Sequence, residues 1–324
     1  MRTGRAALLV LLLASPAAAG DPAAPSPSDA LLREHLWAQL RSLPPDKRPK
    51  VGVALSAGAV RGLAHVGVLQ VLEDAGFPVD AVAGTSMGAV VGSLYAAGLD
   101  MAKLRTLPDR LTFSAGSNFN AIRLFQLFMA DSLIDTRKFE LFLKNEIGDK
   151  RFDQTPTPFA CVAMDLLTGE KIIFREGPLA PAVRASSNLP GLFKPVVYRH
   201  RYLVDGGVVD YIPVDAVRLL GAEWVLASVT EGDFSKTVPS NVLMTLSQIF
   251  DIRGAILSRL QRKEADLIIE PAVGDVPFHD LSRAHEVIEK GMRAASRKLT
   301  AAEESLILFS LPRLQEGWVG KGKP

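Results

Sequence analysis

Ser86 stands in Gly84-Thr85-Ser86-Met87-Gly88, a Gly-x-Ser-x-Gly pentapeptide between a run that predicts a strand and one that predicts a helix. A serine at so tight a turn projects its hydroxyl clear of a sheet, and glycine neighbours permit the strained backbone and close helix packing. The N-terminus of the following helix favours negative charge developing nearby. This context points to a nucleophile, against the plainer reading of a glycine-lined strand-to-helix turn.

Two further segments could serve such a nucleophile. Ser56-Ala57-Gly58-Ala59-Val60-Arg61-Gly62 joins a predicted strand to a predicted helix through small residues, and its backbone N–H groups could face an anion. It could be a phosphate cradle or an oxyanion hole. The dinucleotide fingerprint Gly-x-Gly-x-x-Gly lacks its middle glycine here, although Gly58 and Gly62 are present. Asp205 precedes Gly206 and Gly207 at the end of the apolar run Tyr202-Leu203-Val204. Asp-Gly alone is an ordinary turn. As a general base, Asp205 would have to reach Ser86, and the convergence of strand ends at one edge of a parallel sheet would bring it there.

These three segments need a scaffold that presents strand ends together. From Lys50 onward, short apolar runs alternate with helical patterns, the signature of an α/β domain with a mostly parallel sheet. The pattern predicts strands over 51–55, 79–83, 159–164, 171–174, 201–204, 224–228 and 267–270, with helices over 62–75 and 87–97. Gly98 then follows as a C-cap.

Taken together and in this order, the motifs resemble the patatin-like phospholipases, a family of lipid acyl hydrolases. The family's glycine-rich loop with Arg or Lys before its last glycine matches Ser56 to Gly62. Its Gly-x-Ser-x-Gly matches Gly84 to Gly88, and its Asp-Gly-Gly matches Asp205 to Gly207. The likeness extends through Ala163-Met164-Asp165-Leu166-Leu167-Thr168-Gly169-Glu170 and Ala182-Val183-Arg184-Ala185-Ser186-Ser187-Asn188-Leu189-Pro190-Gly191, and covers about residues 50–295. It implies a three-layer α/β/α fold with a mostly parallel central sheet. It also implies a Ser-Asp dyad, with Ser86 as nucleophile, Asp205 as base, and the loop N–H groups of Gly58 and Ala59 as oxyanion hole. Arg61 and Gly62 are then loop support. The family usually has three consecutive glycines where this chain has Ala57-Gly58-Ala59. An alanine held at positive φ costs about 1 kcal/mol or tilts its N–H away, so the departure bears on the oxyanion hole.

The rest of the chain bounds these readings. With 324 residues, 48% hydrophobic and 22% charged, it is neither fibrous nor disordered. Beyond the first nineteen residues, which hold Arg2 and Arg5 and no acid, basic and acidic residues balance at thirty-five each, which argues against a nucleic acid partner. One cysteine, Cys161, and five scattered histidines predict neither an internal disulfide nor a zinc-type cluster, so no metal or cofactor is expected. Residues 1–19 read as a signal peptide, with small Ala17 and Ala19 before the cleavage point, and predict an exported protein, periplasmic or secreted. Residues 20–49 read as a linker and amphipathic helix, 50–300 as the catalytic domain, and 301–324 as a C-terminal extension. The apolar run over 119–129 reads equally as a buried helix or as an interfacial segment making peripheral membrane contact.

The expected activity is lipid acyl hydrolysis on a lipid or ester substrate, with oligomeric state left open. Alternatives are an acyltransferase using the same dyad, a non-catalytic lipid-binding scaffold, and a Ser-His-Asp esterase drawing on His279 or His285. Against the last, only one strand precedes the nucleophile strand, whereas the α/β-hydrolase fold has several. His35, His65 and His200 read as structural.

Overall fold

The computed structural model describes residues 27–115, 135–233, 238–240 and 242–320. The expected signal peptide and the apolar run over 119–129 lie outside the described residues. The helices are Pro27–Ser42 (α1), Ala64–Asp74 (α2), Met87–Ala96 (α3), Met101–Arg105 (α4), Leu107–Ala115 (α5), Arg137–Ile147 (α6), Leu179–Ser186 (α7), Val214–Arg218 (α8), Val242–Gln261 (α9) and Ala284–Gly320 (α10).

The strands are Val51–Leu55 (β1), Ala81–Thr85 (β2), Phe159–Asp165 (β3), Lys171–Phe174 (β4), Val196–Tyr198 (β5), Arg201–Asp205 (β6), Trp224–Ser228 (β7) and Leu267–Ile269 (β8). They form one sheet in the order β5-β6-β3-β2-β1-β7-β8, with β4 also paired to β3. The central pairs β3/β2, β2/β1, β1/β7 and β7/β8 are parallel, while β4, β5 and β6 add antiparallel pairs at one side. The fold is therefore α/β with a mixed, mostly parallel central sheet.

Strand alternation divides the core by residue size. Val51, Val53, Leu55, Val82, Phe159, Cys161, Trp224 and Leu226 face the layer that contains α2, α3 and α10. Their neighbours, mostly alanines (Ala54, Ala81, Ala83, Ala160 and Ala227) with Val162 and Val225, face a second layer with α8, Tyr211 and Leu257. Both faces are buried, so these strands read as continuous apolar runs. Small residues on one face let that second layer approach closely: a Cβ on Gly52 would meet Val217 Cγ2 at 2.7 Å.

The helix after the Gly-x-Ser-x-Gly turn ends as its sequence predicts. Gly98 takes φ +89°, its N–H donates to Tyr95 O at 2.9 Å, and Leu99 N–H reaches back to Leu94 O at 3.1 Å. That is a Schellman C-cap. At the chain's far end, α10 runs unbroken across the expected boundary at residue 300 and packs against α2 and α1. Among the described residues, no helix is long and apolar enough to cross a membrane.

Candidate active site

The dyad residues meet through a strand junction that apolar patterning does not show. β4 pairs with residues 161–164 of β3 along one edge, which leaves the opposite edge to β2 and β6. β2 runs parallel and ends with Thr85 opposite Val162. β6 runs antiparallel and ends with Asp205 opposite Ala163, the next residue. The two C-terminal ends therefore meet head to head on consecutive residues of β3. This corrects the expectation that parallel strand ends converge at one sheet edge, because β6 arrives from the other direction.

Ser86 follows β2 at φ 57°, ψ −123°, a strained backbone for a non-glycine residue. Close packing holds it there. A Cβ on Gly84 would collide with the Gly88 carbonyl, and one on Gly88 with the carbonyls of Leu55 and Ser56. The Ser86 N–H donates to Ser186 Oγ at 3.1 Å, and its carbonyl accepts the N–H groups of Ala89 and Val90, which opens α3.

The Ser86 hydroxyl donates to Asp205 Oδ2 at 2.5 Å. The other carboxylate oxygen, Oδ1, accepts the Gly207 N–H at 2.7 Å, and the Asp205 N–H donates to Asn188 O at 3.0 Å. Burial pushes the Asp205 carboxyl up from 3.8 to about 6, against the opposing pull of the hydrogen bonds from Ser86 and Gly207. Ser186 and Asn188 are both fully buried, at and just past the end of α7. Asn188 is itself pinned by Thr136 Oγ1 at 2.8 Å and by its own donation to Lys194 O at 2.9 Å. Sequence reasoning gave neither residue a role, although both lie in the segment that carries the resemblance.

The loop after β1 borders the same space. Gly58, Ala59, Ser86, Asp205 and Tyr211 line a cavity of about 60 Å³. Ala57 donates its N–H to Tyr211 O at 2.9 Å and Val60 to Phe278 O at 3.2 Å. The Gly58 N–H meets no acceptor among the described residues, and Ala59 opens the turn Ala59–Leu63, whose first N–H groups lie beyond its internal bonds. Of the two alanines, only Ala59 sits at positive φ, +49°; the strain expected from replacing glycine falls on that residue and not on Ala57.

Arg61 does not reach the dyad's hydrogen bonds. Its buried guanidinium pairs with Asp251 of α9 and donates to Val276 O at 3.3 Å, tying the loop to the opposite wall. Gly62 fits against the Ser86–Met87 turn, where a Cβ would lie 2.7 Å from Met87 Cβ.

Ser86 and Asp205 also border a second cavity of about 250 Å³, whose walls include Val90, Leu111, Phe139, Leu192 and Phe193. His279 lines this wider cleft, its ring edge-on to Phe278. The exposed His285 is bonded to Asp109 at 2.9 Å. Neither imidazole stands between Ser86 and Asp205, which are in direct contact. His65 is buried with Ser228 Oγ at 2.8 Å and Ser56 O at 2.9 Å on its two ring nitrogens, and burial pushes it down to about 4.

A family model described as patatin-like phospholipase matches residues 53–218. An uncharacterised NTE family protein of Mycobacterium tuberculosis is 31% identical over 229 residues, covering 64% of this chain and 59% of its own length. A lysophospholipase of Emericella nidulans is 30% identical over 202 residues, covering 62% of this chain and 13% of its own. The chain thus spans only part of the curated relatives it matches. The solved human GIVD cytosolic phospholipase A2 aligns at a TM-score of 0.49 and 13% identity, over 87% of this chain and 64% of that one. Because the family model spans more than half of the chain and takes in both the loop and the serine and aspartate motifs, this chain belongs to the patatin-like phospholipase family.

Proposed function

We propose that the chain hydrolyses lipid acyl esters through Ser86 and Asp205. The observation that carries this reading is the 2.5 Å bond from Ser86 Oγ to Asp205 Oδ2 at the foot of an apolar cleft. Asp205 Oδ2 takes the hydroxyl proton as Oγ attacks the ester carbonyl. The N–H groups of Gly58 and Ala59 receive the oxyanion. On collapse, the protonated Asp205 returns its proton to the leaving alcohol, and Ser86 keeps the acyl group as an ester. Asp205 then removes a proton from water, the hydroxide releases the fatty acid, and the proton returns to Ser86. A base raised to about 6 remains ionised at neutral pH while accepting a proton more readily than an ordinary carboxylate. The leader-like sequence of residues 1–19 supports extending this proposal to an enzyme acting outside the cytoplasm.

Fluorophosphonate labelling tests the reading, followed by a panel of phospholipid, lysophospholipid and neutral esters. Wild type should label at one site and Ser86→Ala not at all. Ser86→Ala, Asp205→Asn and the double variant should lose ester hydrolysis to nearly the same extent, because groups acting as a unit are not additive. If Asp205→Asn kept most of its activity while His279→Ala lost it, a Ser-His-Asp mechanism would replace this one.

A further inference from the structure

We infer that Thr230 and Ser56 are positioning residues that set the oxyanion donor by clamping the far side of its own peptide; the inference rests on the reading of Ser86 and Asp205 above. The Ala57 carbonyl oxygen accepts two hydroxyl hydrogen bonds, from Ser56 Oγ at 2.8 Å and from Thr230 Oγ1 at 3.1 Å. That carbonyl belongs to the same planar trans peptide as the Gly58 N–H, and in such a unit C=O and N–H point in opposite directions. Fixing the oxygen toward Thr230 therefore aims the Gly58 N–H away from Thr230. On the other side lies the small cavity that Gly58 shares with Ser86 and Asp205.

Gly58 cannot hold this orientation by itself. Rotating the Ala57–Gly58 peptide changes ψ of Ala57 and φ of Gly58, and glycine accepts nearly any φ. The restraint comes from a closed set of buried groups. The Thr230 N–H donates to Ser56 Oγ at 3.0 Å, which orients that hydroxyl's proton toward Ala57 O. Tyr211 Oη donates to Thr230 O at 2.8 Å, while Tyr211 O accepts the Ala57 N–H at 2.9 Å. His65 holds the Ser56 carbonyl from behind at 2.9 Å. Ser56 and Thr230 are fully buried, so water does not replace a lost hydroxyl there. A Cβ on Gly58 would collide with Thr230 Oγ1, which explains why this middle position keeps its glycine while alanine stands on either side.

The test compares Thr230→Val, which removes only the hydroxyl at nearly constant volume, with Thr230→Ser, which keeps it. Both are made in the full chain and assayed with a short soluble p-nitrophenyl ester and a fluorophosphonate. Thr230→Val should lower kcat by about tenfold or more with KM little changed, short of the ~100- to 1000-fold loss on removing an oxyanion donor outright. Thr230→Ser should recover most of that loss, and fluorophosphonate labelling should slow in parallel, because its phosphoryl oxygen occupies the same position. Ser56→Ala supplies the second variant and should show the same split between kcat and KM. A wild-type kcat in a folded Thr230→Val would overturn the inference. So would an equal loss in Thr230→Ser, or a crystal structure of Thr230→Val with the Ala57–Gly58 peptide unmoved. If wild type itself failed to label at Ser86, the reading of the site would fall instead, a result distinguishable from all of these.

Discussion

Asp205 carries an energetic conflict that is visible in its surroundings. Its carboxylate is buried between two donors, and burial outweighs them, leaving it at about 6 against an ordinary 3.8. At pH 8 both folded and unfolded carboxyls are ionised, and only the folded one bears the desolvation. As pH falls from about 6 toward 4 the folded state takes up its proton first, so that destabilisation disappears. Asp205→Asn should therefore stabilise the protein at pH 8 by about 1 to 3 kcal/mol in denaturant unfolding, with the gain shrinking toward pH 4. On a soluble ester, wild-type kcat/KM should fall below pH about 6 as one proton blocks the base. An Asp205→Asn protein less stable than wild type at pH 8 would contradict this account of the burial. Ser86 and Asp205 were legible in sequence because each sits beside glycines that fit tightly packed backbone. Thr230 was not, since its partner Ala57 is distant in sequence and nothing local marks a buried hydroxyl as directional.

At the scale of elements, apolar runs gave every strand but β5, including the short edge strand β8, yet did not give the direction of β6. Strands 171–174 and 224–228 match the structure, whereas β2 lies two residues later than expected because Gly84 and Thr85 continue the pleat up to Ser86. β5 has only three residues, one of them largely exposed, too little pattern to separate from a loop. The antiparallel approach of β6 was equally hidden, since a run of apolar residues has no arrow. The long helix α10 crosses α2 at glycines: a Cβ on Gly67 would collide with the Ile288 carbonyl, and one on Gly291 with the Ala64 carbonyl. Alanine has the higher intrinsic helix propensity, so Gly67→Ala and Gly291→Ala would stabilise a free helix. In this protein each should instead destabilise by about 1 to 3 kcal/mol in denaturant unfolding, because backbone is met at the contact. Fluorophosphonate labelling per folded molecule should stay near wild type.

For the whole molecule, described residues on either side of 50–300 contribute to the core, from α1 and from the part of α10 beyond residue 300. Trp37 of α1 packs at a tilt against Phe77, 5.3 Å between ring centres, and Phe77 against Trp224 of β7 at 5.8 Å. Trp224 Nε1 donates to Ser305 Oγ at 3.2 Å, and Leu306, Ile307 and Leu314 are buried. The second half of α1 and residues 305–314 of α10 thus close one aromatic-lined layer behind the sheet. A chain ending at residue 300 should lose its cooperative thermal transition or melt many degrees lower, as scanning calorimetry would read, even though every dyad and loop residue is retained. A transition unchanged from the full chain would show that this layer is dispensable.

The head-to-head arrival of β2 and β6 on β3 makes catalysis a check on threading. A one-residue slip of β6 moves Asp205 by about 3.3 Å and turns its side chain to the opposite face of the sheet, while leaving strand content and compactness almost untouched. Circular dichroism would count such a molecule as folded. Titration of Ser86 would not, so the ratio of the two measures how faithfully a preparation has been assembled.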